Sequence, residues 1–92
     1  AKFASENRCF TVIGPEAPLA MGIVDMFNEK NLKVFGPTKE AAQLESSKIW
    51  AKQFLKRNNI PTATFEVFDD AVMAKEYVNQ LDYNVVIKAD GL

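Results

Sequence analysis

At 92 residues and 10.3 kDa the chain has room for one small domain's worth of core. With 48% hydrophobic and 25% charged residues it has the mixture of a globular protein, which argues against intrinsic disorder. Its net charge of -1 gives no electrostatic reason to expect nucleic acid or an anionic membrane as partner, and the absence of His excludes imidazole catalysis and His-ligated metal within these residues. A single Cys cannot form an intramolecular disulfide, so a reducing, cytoplasmic setting is expected. No stretch approaches the roughly 20 apolar residues that span a bilayer. The opening Ala1-Lys2-Phe3-Ala4-Ser5-Glu6 has neither the apolar run nor the cleavage site of a secretory signal, and it has no initiator Met. It is expected to be an internal stretch of a longer protein.

Phe10-Thr11-Val12-Ile13 reads as a first strand, closed by Gly14-Pro15. A helix follows, with Pro18 in its tolerant first turn and Leu19, Ile23, Met26 and Phe27 at helical spacing. Lys33-Val34-Phe35 reads as a second strand, closed by Gly36-Pro37, with Thr38 as N-cap of a short helix carrying Ala41, Ala42 and Leu44. Strand, Gly-Pro and helix, taken twice, is the cadence of a parallel sheet with crossover helices. The continuously apolar strands predict a sheet covered on both faces. In such sheets ligands sit at the carboxyl ends of the strands, where both Gly-Pro turns fall.

Glu45-Ser46-Ser47 opens a longer helix over Lys48 to Asn58, ended by Asn58-Asn59 and Pro61. Ile49, Trp50, Phe54 and Leu55 form its apolar side, and Trp50 and Phe54 are spaced to touch. Thr64-Phe65-Glu66-Val67-Phe68 reads as a half-exposed or edge strand. Asp69-Asp70 then caps a helix whose buried stripe is Ala74, Tyr77, Val78 and Leu81. Val85-Val86-Ile87-Lys88 reads as a last strand, leading into the loop Ala89-Asp90-Gly91-Leu92. The pattern changes near residues 44–48, from parallel α/β to longer helices and more amphipathic strands. A junction between two parts, 1–44 and 45–92, is therefore expected.

Three features could carry chemistry. The rigid Gly14-Pro15-Glu16 turn could present amides and a carboxylate to a polar ligand, or could be a tight connection with Glu16 near a helix start. Lys48, Lys52 and Lys56 lie four apart. Lys48, in a first helical turn, invites an anionic ligand, although residue types alone favour a solvated basic face. Lys88 ends an apolar strand where parallel sheets meet their ligands, and either a phosphate or plain water could face it. Cys9, Met21, Met26 and Trp50 read as apolar packing residues. No glycine-rich phosphate loop, metal-ligand cluster or nucleophile–base pair is present.

Five ordered strings are distinctive together: Val12–Leu19 (VIGPEAPL), Val34–Thr38 (VFGPT), Ala41–Lys48 (AAQLESSK), Asn59–Ala63 (NIPTA) and Val86–Leu92 (VIKADGL). With them the chain closely resembles the phosphoribosylamine–glycine ligase (glycinamide ribonucleotide synthetase) family, from about Phe3 to its last residue. The resemblance implies the later part of a Rossmann-like N-terminal domain running into the start of an ATP-grasp domain. It implies an ATP-dependent ligase that joins glycine to 5-phosphoribosylamine through a glycyl phosphate, in purine biosynthesis, with Mg held by residues outside this stretch. Lys48 looks like the family's first ATP-phosphate lysine and Lys88 like its second. Gly14, Pro15 and Glu16 look like the loop facing the phosphoribosylamine side. Lys52 and Lys56 gain no role. The family's dinucleotide-fold start would precede Ala1 and its glycine-rich loop would follow Leu92. The stretch is thus expected to hold part of a nucleotide site, no complete catalytic set, and no activity by itself. The Glu45-Ser46-Ser47-Lys48 wording resembles multifunctional purine enzymes, which implies a parent fused to other purine-pathway domains. Two other readings stay open: a different ATP-grasp ligase, and a non-catalytic α/β module that binds a protein.

Overall fold

The computed structural model describes residues 1–91. Leu92, the end of the last loop string, lies outside the described residues. Eight elements follow one another: α1 (Lys2–Glu6), β1 (Thr11–Val12), α2 (Glu16–Ala20), α3 (Ile23–Glu29), β2 (Val34–Phe35), α4 (Lys39–Ser46), α5 (Lys48–Arg57) and α6 (Ala71–Asn79). The chain is α/β, with one small parallel sheet.

β1 and β2 pair in parallel, Thr11 beside Val34 and Val12 beside Phe35, with α2 and α3 in the crossover. The Thr11 amide donates to the Lys33 carbonyl at 3.0 Å and the Ile13 amide to the Phe35 carbonyl at 3.1 Å. The expected coverage of both sheet faces is corrected: Val12 and Phe35, opposite each other in the register, are both about two-thirds exposed. One face packs and the other is open. The buried hydrophobic residues are Ala4, Val24, Phe27 and Ala42.

The helix expected from Pro18 through Phe27 is two helices. Gly22, at φ 91°, turns the chain between α2 and α3, a conformation that glycine adopts without strain. The break also corrects the expected stripe: Phe27 is buried, whereas Met26 and Met21 are exposed. Gly36 has a different reason. A Cβ there would lie 3.0 Å from both Leu19 and Val24 side chains, so the turn after β2 can be this close to α2 and α3 only without one.

The expected Thr38 cap is made, and of the expected helix opening at Glu45-Ser46-Ser47 it is Ser47 that caps, Glu45 and Ser46 still belonging to α4. The Thr38 hydroxyl accepts from the Ala41 amide at 3.2 Å, opening α4, and the Ser47 hydroxyl accepts from the Trp50 amide at 3.0 Å, opening α5. The Asp25 carboxylate, from α3, also accepts from the Lys39 amide at 2.7 Å, tying α4 to the crossover. α4 packs on α2 and continues through Ser47 into α5. On α5, Trp50 and Phe54 stack with ring centroids 5.2 Å apart. Asp70 caps α6 by accepting from the Val72 and Met73 amides, both at 2.9 Å. The half-buried residues of α6 and its exit are Ala74, Tyr77, Val78 and Leu81, the stripe read from spacing, and Phe68 lies tilted over Tyr77 at 5.2 Å.

The last two expected strands are not strands. Residues 64–68 and 85–88 form no regular element, and neither pairs with a neighbouring strand. A ladder needs a second strand for its amides and carbonyls, whatever the β-propensity of one run. Lys88 therefore sits in a segment that no sheet holds.

Candidate functional site

α5 starts directly after α4, and its first residue is Lys48. Ser47 closes the Trp50 amide, but the first turn of α5 contains no acidic residue to complement the positive end of the helix dipole. That acid arrives from 41 residues downstream. One oxygen of the Asp90 carboxylate accepts from the Ile49 amide at 3.0 Å, and the other accepts from the Ser47 hydroxyl at 2.9 Å. The Ser47 hydroxyl is thus a relay, accepting from Trp50 and donating to Asp90. The Asp90 carboxyl is held below the ordinary aspartate range. The Ile49 amide is the main cause, some loss of hydration opposes it, and the Ser47 hydroxyl and the Lys48 and Gly91 amides add to the lowering.

Lys88 is two residues before Asp90, so its Cα lies within about 7 Å of the Asp90 Cα. Lys48 is the residue before Ile49. The contact of Asp90 with Ile49 therefore brings the two lysine-bearing segments to one helix start, and both lysines are exposed. Among the described residues the single ion pair is Lys2–Glu6, so neither lysine is neutralised by a carboxylate. The Ile49 and Trp50 amides are already engaged by Asp90 and Ser47, so an anion arriving here would meet ammonium groups rather than those backbone amides.

Lys52 corrects its reading as part of a solvated face. It is half-buried, and its ammonium donates to the Thr62 hydroxyl at 2.6 Å and to the Ala63 carbonyl at 3.2 Å, 5.7 Å from the Phe65 ring centre. It fastens the segment after α5 back onto that helix, while Lys56 is exposed.

Gly14 lies at the exit of β1, Pro15 is the N-cap residue of α2, and Glu16 is its first helical residue, where a carboxylate complements the dipole. All three are exposed, and a Cβ at Gly14 would meet nothing within 4 Å. Among the described residues no hydrogen bond or ion pair joins this turn to Lys48, Lys88 or Asp90. The structure therefore joins the Lys88-bearing segment to the helix start that carries Lys48, and shows no such bond from the Gly14–Glu16 turn. Two hollows bounded by Lys2, Glu6, Lys30, Arg8, Cys9 and Asn31 hold none of these residues. Cys9 is half-buried and free, just before β1. No group of three or more His, Cys, Asp or Glu side chains placed to hold a metal ion occurs among the described residues.

Asp90 is the residue that sequence reasoning passed over. The signal available was indirect: a helix opening on Ser-Lys with no acid of its own in the first turn needs one from elsewhere.

Fold and site together define an α/β protein in which two lysine-bearing segments meet at a helix start, neither lysine paired with a carboxylate. Two family models tile the chain. Residues 1–45 match "Phosphoribosylglycinamide synthetase, N domain", and residues 46–92 match "Phosphoribosylglycinamide synthetase, ATP-grasp (A) domain". The chain belongs to the phosphoribosylglycinamide synthetase family. It is 61% identical to the phosphoribosylamine–glycine ligase of Neisseria meningitidis serogroup B over 95% of its own length and 21% of that protein's. It is 59% identical to that of Ralstonia nicotianae, over all of its own length and 22% of the relative's. A protein of Dictyostelium discoideum, named a bifunctional purine biosynthetic protein, is 50% identical over 89% of this chain and 10% of its own length. The chain thus spans about a fifth of the bacterial relatives it matches. No helix among the described residues is long and apolar enough to cross a membrane.

Proposed function

We propose that this chain is part of a longer ATP-dependent ligase that joins glycine to 5-phosphoribosylamine, giving glycinamide ribonucleotide, ADP and phosphate in purine biosynthesis. The names of the relatives support the reaction. The observation in this chain that carries the proposal is the bonding of Asp90 to Ser47 and Ile49, which sets Lys88 and Lys48 around one helix start with no carboxylate paired to either. Their role is to hold the phosphates of ATP and to screen negative charge while the γ-phosphoryl group moves. MgATP would supply that phosphoryl group, and the family resemblance assigns the metal's ligands to residues outside this stretch. Gly14, Pro15 and Glu16 are assigned to the phosphoribosylamine side, supported by their place at the carboxyl end of β1.

The division at 1–44 and 45–92, into the end of a Rossmann-like domain and the start of an ATP-grasp domain, belongs to the same proposal. The change of family model between residues 45 and 46 supports it. So does the parallel β1–β2 pair with helical crossover in the first part. A cytoplasmic setting follows from the reading. Fusion to further purine enzymes has one relative in its favour, but the bacterial relatives are the more similar, so the Glu45–Lys48 string carries no weight for it.

The test is glycine-dependent ADP release by the full-length protein carrying this chain, with phosphoribosylamine generated in the assay. Activity should require both substrates, and Lys48→Ala and Lys88→Ala should each lower kcat/KM on the order of 100-fold. Activity with neither substrate, or lysine variants equal to wild type, rejects the reading.

A further inference from the structure

The last segment of the chain is attached at one point. Residues 85–88 pair with no strand, and Val86 and Ile87 are each more than four-fifths exposed. Among the described residues the hydrogen bonds that join residues 85–91 to the rest of the molecule converge on the Asp90 carboxylate, which accepts from the Ser47 hydroxyl and the Ile49 amide and faces the Lys48 amide as well. The same segment carries Lys88, and the helix start it reaches carries Lys48.

We propose that Asp90 is a positioning residue for the nucleotide: by holding the Ser47 hydroxyl and the Ile49 amide, its carboxylate fixes the Lys88 segment against α5 and so sets the span between Lys88 and Lys48. The inference rests on the reading of those lysines as phosphate ligands. Asp90 itself does not touch the phosphates, because a carboxylate would repel them and both of its oxygens are engaged. Its contribution is geometric. A charged acceptor bonded to a helix amide and a hydroxyl resists displacement far better than water-exposed backbone does. Holding Lys88 in place removes the ordering cost that nucleotide binding would otherwise carry. Its charge also complements the helix end, which Lys48 does not.

The experiment measures steady-state kinetics and Tm of the full-length protein for wild type, Asp90→Ala, Asp90→Asn, Lys48→Ala and Lys88→Ala, varying MgATP and glycine in turn. Asparagine keeps an oxygen for the Ile49 amide, and its NH2 can donate to the Ser47 hydroxyl oxygen, reversing that bond, so it retains the tie without the charge. Asp90→Ala should raise KM for ATP about tenfold, the loss expected on removing one charge-assisted attachment. KM for glycine should stay within about twofold, and Asp90→Asn should recover most of the affinity for ATP. An unchanged KM for ATP in Asp90→Ala overturns the proposal, as does an equal loss for both substrates or an asparagine variant no better than alanine. If wild type and lysine variants behave as proposed while Asp90→Ala does not, the positioning role alone fails. If wild type releases no glycine-dependent ADP, the ligase reading fails and takes this inference with it. Should Asp90→Ala not fold, Ser47→Ala, which removes one of the two bonds, must show the same split in smaller measure.

Discussion

Asp90 and Lys52 show how much a single side chain decides in this chain. Each joins segments that the backbone alone leaves unpaired, Asp90 across 41 residues to Ile49 and Lys52 across 10 to Thr62. Neither contact leaves a periodic trace, because it depends on where a loop meets α5 in space. Lys48 and Lys88, proposed to face phosphate, drew attention for the opposite reason: both stand at the ends of runs that a reading of spacing finds. The Asp90 contact has a pH signature of defined sign. Its carboxyl is lowered in the folded chain, first by the Ile49 amide, so folding favours the ionised form. The stability it contributes is present above the ordinary aspartate pKa of the unfolded chain and is lost as pH falls through the lowered folded value. The Ile49 amide resonance, followed by NMR, should therefore titrate with a midpoint below the ordinary aspartate range, and Asp90→Asn should abolish that transition. A midpoint at or above the ordinary range would mean that the amide and hydroxyl do not bind the carboxylate in solution.

Helices were more legible than strands because their determinants are local. Thr38, Ser47 and Asp70 each bond the amide that their position predicts, and the Trp50–Phe54 pair meets at four-residue spacing. A strand is completed by a partner elsewhere, and residues 64–68 and 85–88 have none among the described residues, so composition alone overstated them. Gly22 was passed over because the stripe of Leu19, Ile23 and Phe27 keeps its period across the break. The kink has a measurable consequence. A Cβ at position 22 would come no closer than 3.4 Å to Lys39, so Gly22→Ala should not clash. It must, however, adopt φ 91°, and should cost about 1–2 kcal/mol. Gly14→Ala, in open space, should cost less than about 0.5 kcal/mol. Chemical denaturation of the full-length protein distinguishes the two. Equal effects would mean that the α2–α3 turn is not held at a left-handed glycine.

The whole molecule is extended for its size. Its radius of gyration is 18.4 Å, against about 12 Å for a compact chain of this length. Its accessible surface is 7487 Å², about 2,100 Å² more than the scaling for compact monomers of this mass gives. The excess is apolar in conspicuous places: Met21, Val86 and Ile87 are each more than four-fifths exposed, and the open face of the β1–β2 pair carries Val12 and Phe35. A pair of two-residue strands is too little sheet to stand alone. Four buried hydrophobic residues among those described, two of them alanines, are a slight core for 92 residues. Exposed apolar surface of this extent drives association wherever a partner surface is lacking. The 92 residues by themselves should therefore self-associate, with a weight-average mass that rises with concentration in sedimentation experiments. They should bind a hydrophobic dye, lose structure over a broad range of denaturant, and release no ADP in response to glycine. A concentration-independent 10.3 kDa monomer with one sharp transition would show that these residues bury more of their apolar surface than this arrangement allows, and glycine-dependent ADP formation by them would place a complete active site where only two phosphate-facing lysines are proposed.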